Sequence, residues 1–297
     1  MKVRGAAPLE GPHPFIIDDH GLSVYPRFES VVAPSEPAWT GRRVGFGLAE
    51  VDALVGGGLT VGTTTLVAGS PGTGKTLLGL HFTAAAIQAT EPALFLGFME
   101  NTAQLRAKAQ AFGLDLAAAE ATGLVRLLVL PGFDLEADRV AALLREDIER
   151  RGVRRLVIDS AGELERGIAT AQRRTDFLAA LVSYLRGREV TTYVTLDINT
   201  IVGPALEFAG TPLSVLAENL LVLRLAEYRG RLHHVCSVLK MRFSDYDRTI
   251  REYTITAGRG VQLLGPAPPA AGLLTGLAQP LVPWEVEHLP DEPASAP

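Results

Sequence analysis

A chain of 297 residues with 47% apolar composition can bury one large α/β core or two small ones, which excludes wholesale disorder. Its formal charge of -5 and pI near 5.7 lack the basic balance of a sequence-independent grip on nucleic acid, although a local basic patch stays compatible with them. No apolar run approaches the ~18 residues that span a bilayer, and the start, Met1-Lys2-Val3-Arg4-Gly5, lacks the apolar stretch of a secretory signal. The single cysteine, Cys236, cannot form an internal disulfide and reads as a buried structural thiol in an apolar strand, so a reducing cytoplasm is the expected setting.

Three zones follow along the chain. Residues 1–40 are rich in proline and glycine, with one strand-like stretch at Phe15-Ile16-Ile17. Residues 41–265 alternate strand and helix signals, and residues 266–297 form a Pro/Ala-rich segment expected to be flexible. Within the middle zone, 63–68, 93–98, 125–130, 155–159 and 191–196 are short apolar runs of the kind found in a parallel sheet covered on both faces. Helical periodicity separates them: Val140, Leu143, Leu144 and Ile148 share one face, as do Phe177, Leu181, Val182 and Leu185. After Asn219 come successive strands (220–225, 233–241, 251–255), which read as an antiparallel extension of the sheet. A faint repeat is also present. Lys2-Val3-Arg4, Phe15-Ile16-Ile17-Asp18 and Gly21-Leu22 echo Lys240-Met241-Arg242, Tyr253-Thr254-Ile255-Thr256 and Gly260-Val261, although short β-rich stretches also match by chance.

The segment Gly69-Ser70-Pro71-Gly72-Thr73-Gly74-Lys75-Thr76 matches the phosphate-loop pattern in full, with a strand before it and a helix from Leu77 to Ile87 after it. Glycines let backbone N–H groups turn inward around phosphate oxygens, and the helix N-terminus adds partial positive charge. Lys75 is expected to reach the β- and γ-phosphates of ATP, and the Thr76 hydroxyl to ligate Mg²⁺. Lysine is scarce here: Lys2, Lys75, Lys108 and Lys240 are the only four, against abundant arginine, a bias that codon usage also explains. A compact ammonium enters a phosphate cradle where a planar guanidinium fits badly.

Asp159 closes the apolar run Arg155-Leu156-Val157-Ile158, where a carboxylate holds Mg²⁺ through water or, alternatively, caps the next turn. Glu100 follows the strand after the phosphate-loop helix. It reads as the group that orients or deprotonates an attacking water, or as a helix-start residue ahead of Thr102. Lys240 and Arg242 share a face at a strand end, either to meet a γ-phosphate from a neighbouring subunit or as an ordinary solvated terminus. His233-His234 has no partner at zinc spacing, and no serine–histidine pairing stands out as a hydrolase candidate.

Together these motifs resemble the KaiC family of RecA-like ATPases over roughly Arg43 to Leu264. The resemblance rests on the entry segment Arg43 to Leu59, on Ala217-Glu218-Asn219, and most specifically on Ser237-Val238-Leu239-Lys240-Met241-Arg242 with Asp245-Tyr246-Asp247 and Arg251-Glu252-Tyr253. It implies a RecA-like P-loop NTPase core: a mostly parallel sheet with helices on both faces and an antiparallel C-terminal extension. It also implies an ATP site of Gly69 to Leu77, Thr76 and Asp159 at Mg²⁺, Glu100 and Lys75 in catalysis, and a homo-oligomeric ring, usually hexameric, with Lys240 and Arg242 acting in trans. Clock members of the family carry two adjacent glutamates where this chain has Met99-Glu100, which leaves Glu100 as the sole candidate base. No serine–threonine pair carries over as phosphorylation sites, so phosphate transfer to protein is not claimed. Tandem domains are common in the family, and residues 1–25 then resemble the close of a preceding copy. That expectation requires those residues to join a sheet. The expected function is Mg-dependent ATP hydrolysis with a signalling or regulatory output through an unidentified protein partner. Two alternatives stay open: a nucleotide-gated binding module with little hydrolysis, and a RecA/RadA-like DNA-dependent ATPase, against which the acidic balance argues.

Overall fold

The computed structural model describes residues 9, 11–33, 40–133, 135–198, 211–275 and 278–280. The chain opens with β1 (Phe15–Asp18), β2 (Gly21–Val24) and the short α1 (Phe28–Val31). The entry segment follows as β3 (Arg43–Val44), α2 (Ala49–Leu54) and β4 (Leu59–Thr60). Next come β5 (Thr64–Gly69), α3 (Lys75–Gln88), β6 (Ala93–Gly97), α4 (Thr102–Ala111), α5 (Ala117–Ala121) and β7 (Val125–Val129). The core continues through α6 (Ala137–Arg151), β8 (Arg155–Asp159), α7 (Ala161–Arg166), α8 (Ala171–Gly187) and β9 (Thr191–Asp197). It closes with α9 (Leu213–Leu216), β10 (Asn219–Tyr228), β11 (Arg231–Met241), β12 (Arg251–Thr256) and β13 (Gly260–Pro266).

One nine-stranded sheet runs in the order β13-β12-β11-β10-β5-β9-β8-β6-β7. Strands β10, β5, β9, β8, β6 and β7 are mutually parallel, whereas β11, β12 and β13 are antiparallel additions at one edge. The sequence placed the change of direction at Asn219, but β10 pairs parallel with β5 and antiparallel with β11, so the switch comes one strand later. Its apolar run is as continuous as those of the other central strands, and direction is not written in that pattern.

The apolar runs are explained by two covered faces. Leu66 and Ala68, Leu94 and Leu96, and Leu156 and Ile158 pack on one side with α6 and α8. The intervening Val67, Phe95 and Val157 pack on the other with α2, α3 and α4. The helical stripes behave as the spacing requires: Val140, Leu144 and Ile148 are buried with Leu143 half-buried, and Phe177, Leu181, Val182 and Leu185 are buried. The entry segment closes the second face, with Phe46 fully buried against Phe82 and Tyr193. Cys236 sits in this core, where burial pushes its thiol up to about 12, far from the reactive range.

The N-terminal hairpin stands apart: β1 and β2 pair with each other in a separate two-stranded sheet. Behind it, Phe28 is buried between Phe177 and Tyr184 of α8, and Glu29 and Asp138 share Arg173. Lys2-Val3-Arg4 and residues 281–297 lie outside the described residues. Between these limits, Ala270–Ala271 pairs with Gln279–Pro280, and Leu273 is buried with Ala226 and Val235. No helix among the described residues is long and apolar enough to cross a membrane.

Candidate nucleotide site

The site is assembled at the carboxyl ends of adjacent parallel strands, where open α/β sheets place their ligands. Gly69 ends β5, Asp197 ends β9, Asp159 ends β8, and Glu100 lies just past the end of β6. Between them lies a cavity of about 560 Å³, lined on one wall by Pro71, Gly72, Gly74, Lys75, Thr76 and Leu77. Glu100 and Asp159 line it as well, together with the apolar side chains of Met99, Phe112 and Ile255.

The loop is held from below and from the side. Thr73 Oγ1 donates to the Ser70 carbonyl at 2.8 Å, the Tyr253 hydroxyl to the Thr73 carbonyl at 2.6 Å, and the Tyr193 hydroxyl to the Lys75 carbonyl at 2.7 Å. Gly74 starts α3 with φ +84, a left-handed conformation that favours glycine, and Ile255 Cδ1 packs closely over it. No side chain caps this helix start. Its first N–H groups are therefore available to an anion, as at other phosphate-binding helix N-termini. Lys75 is only 7% exposed; its Nζ donates to the carbonyls of Gly69 at 2.8 Å and Ser70 at 2.9 Å and pairs with Asp197 Oδ1 at 3.0 Å.

Asp159 does not cap the following helix. Its Oδ2 accepts from the Thr76 hydroxyl at 2.8 Å and its Oδ1 from the Thr195 hydroxyl at 2.5 Å. Burial pushes its carboxyl up, the two hydroxyls pull it down, and the neighbouring charges of Glu100 and Asp197 push it up again. A carboxylate crowded in this way, touching a threonine hydroxyl at a phosphate loop, fits a hard divalent cation. Mg²⁺ is commonly bound by one or two carboxylates together with substrate phosphates and water. No group of three His, Cys, Asp or Glu side chains that could hold a metal occurs among the described residues.

Glu100 is released from the helix-start role, because Asn101 caps α4: its side chain accepts from Gln104 N–H, and Gln104 Oε1 accepts from Asn101 N–H. Glu100 instead lines the cavity, where Oε1 accepts from Lys108 Nζ and the buried Oε2 has no hydrogen-bond partner among the described residues. Met99 is 77% exposed beside it.

Lys240 and Arg242 do not line this cavity. They share a side at the end of β11, where Lys240 Nζ donates to the Ala217 carbonyl at 2.7 Å and Arg242 Nη2 to the Val215 carbonyl at 3.0 Å. Burial, and then the Arg242 charge, lower the Lys240 ammonium from its ordinary value. His233 pairs with Glu252 and not with a metal-type set.

Sequence reasoning missed Asp197, Thr195, Lys108 and Tyr253. Asp197 carried a usable signal, since it is a carboxylate closing an apolar parallel strand, as Asp159 is. Tyr253 reaches the site only through tertiary packing, whereas Lys108 meets Glu100 along α4 at a separation of eight residues, which the sequence does not single out.

A family model described as the KaiC ATPase matches residues 44–267. The chain is 29% identical over 258 residues to the circadian clock oscillator protein KaiC of Picosynechococcus sp., an alignment covering 87% of this chain and 49% of that protein. It is 28% identical over 256 residues to the protein of the same name from Synechococcus elongatus, covering 86% and 48%, and 28% over 257 residues to that from Nostoc sp., covering 86% and 49%. The chain thus spans about half the length of the curated relatives it matches. With the phosphate loop, the parallel core and this match taken together, the chain belongs to the KaiC family and carries its ATPase-type domain.

Proposed function

We propose that this chain is a Mg-dependent ATPase that works as a homo-oligomeric ring in a cytoplasmic setting, with a regulatory output. The carrying observation is the convergence of Lys75, Thr76, Asp159 and Glu100 on one cavity, while Lys240 and Arg242 sit outside it on the same chain. Residues Gly69 to Leu77 wrap the phosphates, and Thr76 with Asp159 would hold Mg²⁺, whose charge neutralises the phosphate oxygens. Glu100 accepts the proton of a water whose oxygen bonds to the γ-phosphorus, while the bond from that phosphorus to the β–γ bridging oxygen breaks. Lys75 and, from a neighbouring copy, Lys240 and Arg242 offset the charge on the transferring group. The relatives' names, clock oscillator proteins, support a regulatory output but identify no partner for this chain.

The test is phosphate release with and without Mg²⁺, alongside molecular mass in solution. Arg242→Ala is expected to slow turnover by ~10³-fold while ATP affinity changes little, as for other groups supplied in trans. Equal losses in rate and affinity overturn the in-trans role.

A second reading, a nucleotide-gated module that hardly hydrolyses, is favoured by Met99, which stands beside Glu100 where clock members of the family carry a second glutamate. Mg-dependent phosphate release that Glu100→Gln abolishes excludes it.

We also infer that β1–β2 is the closing hairpin of a further domain of this kind. It repeats the residue order of β12–β13 yet leaves Phe15, Ile17, Leu22 and Val24 exposed. Replacing Phe15 and Ile17 by serine is expected to leave this chain's melting temperature unchanged, and a fall of several degrees would make the hairpin part of this domain's own core.

A further inference from the structure

The Lys108–Glu100 pair is not explained by the phosphate-loop motif. Lys108 lies in the last turn of α4, two turns beyond Glu100, and it is one of only four lysines in the chain. It lines the cavity together with Glu100, with Phe112 also on the wall. Both charged side chains are about one-third exposed, at 31% and 33%, so the pair sits at the mouth of the cavity and not on open surface. The carboxylate is asymmetric: Oε1 accepts from the ammonium, whereas Oε2 is buried without a partner among the described residues. Around it the field is negative, because Glu100 and Asp197 both act on Asp159, and the other cavity cation, Lys75, is taken by Asp197 and two loop carbonyls. The salt bridge to Lys108 holds this carboxylate in one orientation.

We propose that Lys108 is a positioning residue for hydrolysis: its ammonium holds the Glu100 carboxylate at the cavity wall, aimed to accept the proton of the attacking water. Lys108 itself touches neither the water nor the phosphate. This accounts for how a single glutamate beside Met99 serves as the base. Its neighbour on the chain supplies no second carboxylate, and the alignment comes from α4. The inference rests on the hydrolytic reading above.

General bases contribute ~10²–10⁴-fold to rate, and misplacing one forfeits part of that. Lys108→Met is expected to lower kcat at least tenfold with KM little changed, and Lys108→Arg to recover part of the loss. In single turnovers with enzyme in excess, Lys108→Met is expected to add nothing once Glu100→Gln is present. An equal loss in both backgrounds, a loss confined to KM, or no loss overturns the proposal. A second readout needs no reaction. Mild amine acylation of the nucleotide-free chain, resolved by peptide mass, is expected to modify Lys108 several-fold faster in Glu100→Gln, with Lys240 as the internal reference. Unchanged Lys108 labelling means the pair does not form and overturns the proposal. A wild-type chain that releases no phosphate at all overturns the hydrolytic reading and this role with it. That outcome is distinct from a wild-type chain that turns over and ignores Lys108→Met.

Discussion

The hairpins β1–β2 and β12–β13 share a pattern and differ in what they touch. In the C-terminal one, Tyr253 is paired with Leu263 and Ile255 with Val261. In the N-terminal one, Phe15 is paired with Val24 and Ile17 with Leu22, so the apolar residues again fall on one face. Yet Tyr253 is 1% and Val261 6% exposed, whereas Phe15 is 60% and Ile17 73% exposed. Alternation is enough to make a hairpin with an apolar face, but it does not say which body covers that face. In the covered hairpin the face also shapes the candidate site, because the Tyr253 hydroxyl bonds to the Thr73 carbonyl and Ile255 packs against Gly74 and lines the cavity.

The comparison is broken most forcefully at its best-matched pair. Tyr253→Ala removes a buried ring from the second core face and an anchor from the phosphate loop, so a loss of roughly 3–5 kcal/mol is expected in denaturant unfolding. ATP affinity is expected to fall with it, since the loop loses its support at Thr73. Phe15→Ala, at the equivalent position, is expected to change stability by less than about 0.5 kcal/mol. Tyr253→Phe keeps the ring and strands one carbonyl, which costs about 1 kcal/mol, and so separates packing from anchoring. Similar losses at positions 15 and 253 would mean that the N-terminal hairpin is packed after all.

The same contrast shows what was legible in the sequence. Strand and helix positions were, because both periodicities are local: β8 spans the expected residues 155–159, and β5, β6, β7 and β9 lie within a residue or so of their apolar runs. The phosphate loop was legible because its spacing is a continuous string, and Asp159 because it closes a strand. The order of strands was not, since β9 inserts between β5 and β8 although it follows β8 in the chain. That insertion is what brings Asp197 against Lys75. Lys108 escaped for a related reason: its meaning depends on a carboxylate that α4 carries past its own cap, and one side-chain rotamer decides the contact.

A small effect is also expected where the uncovered hairpin is tied down. Directly after β2, Glu29 accepts from Arg173 at 2.6 and 2.8 Å and from Arg27 at 2.7 and 2.9 Å, while Phe28 N–H donates to Asp138 at 2.9 Å. Burial alone would push the Glu29 carboxyl up. The hydrogen bonds from Arg173, from its own backbone and from Arg27 outweigh it and draw the group down from 4.5 to about 2. A carboxyl lowered on folding adds stability that is complete above its unfolded value and is lost as the pH falls through its folded one. The attachment is therefore expected to weaken between pH 4.5 and about 2. Because the group is partly exposed and screened, its share is about 1 kcal/mol or less. Amide hydrogen exchange across residues 27–33 is expected to quicken in Glu29→Gln at pH 7, relative to the same amides in the wild type, while β12–β13 stays protected in both. If the wild-type and Glu29→Gln rates coincide, Phe28 holds the segment by its packing and its hydrogen bond to Asp138. The Glu29–Arg173 ion pair then contributes nothing to keeping the uncovered hairpin beside the domain.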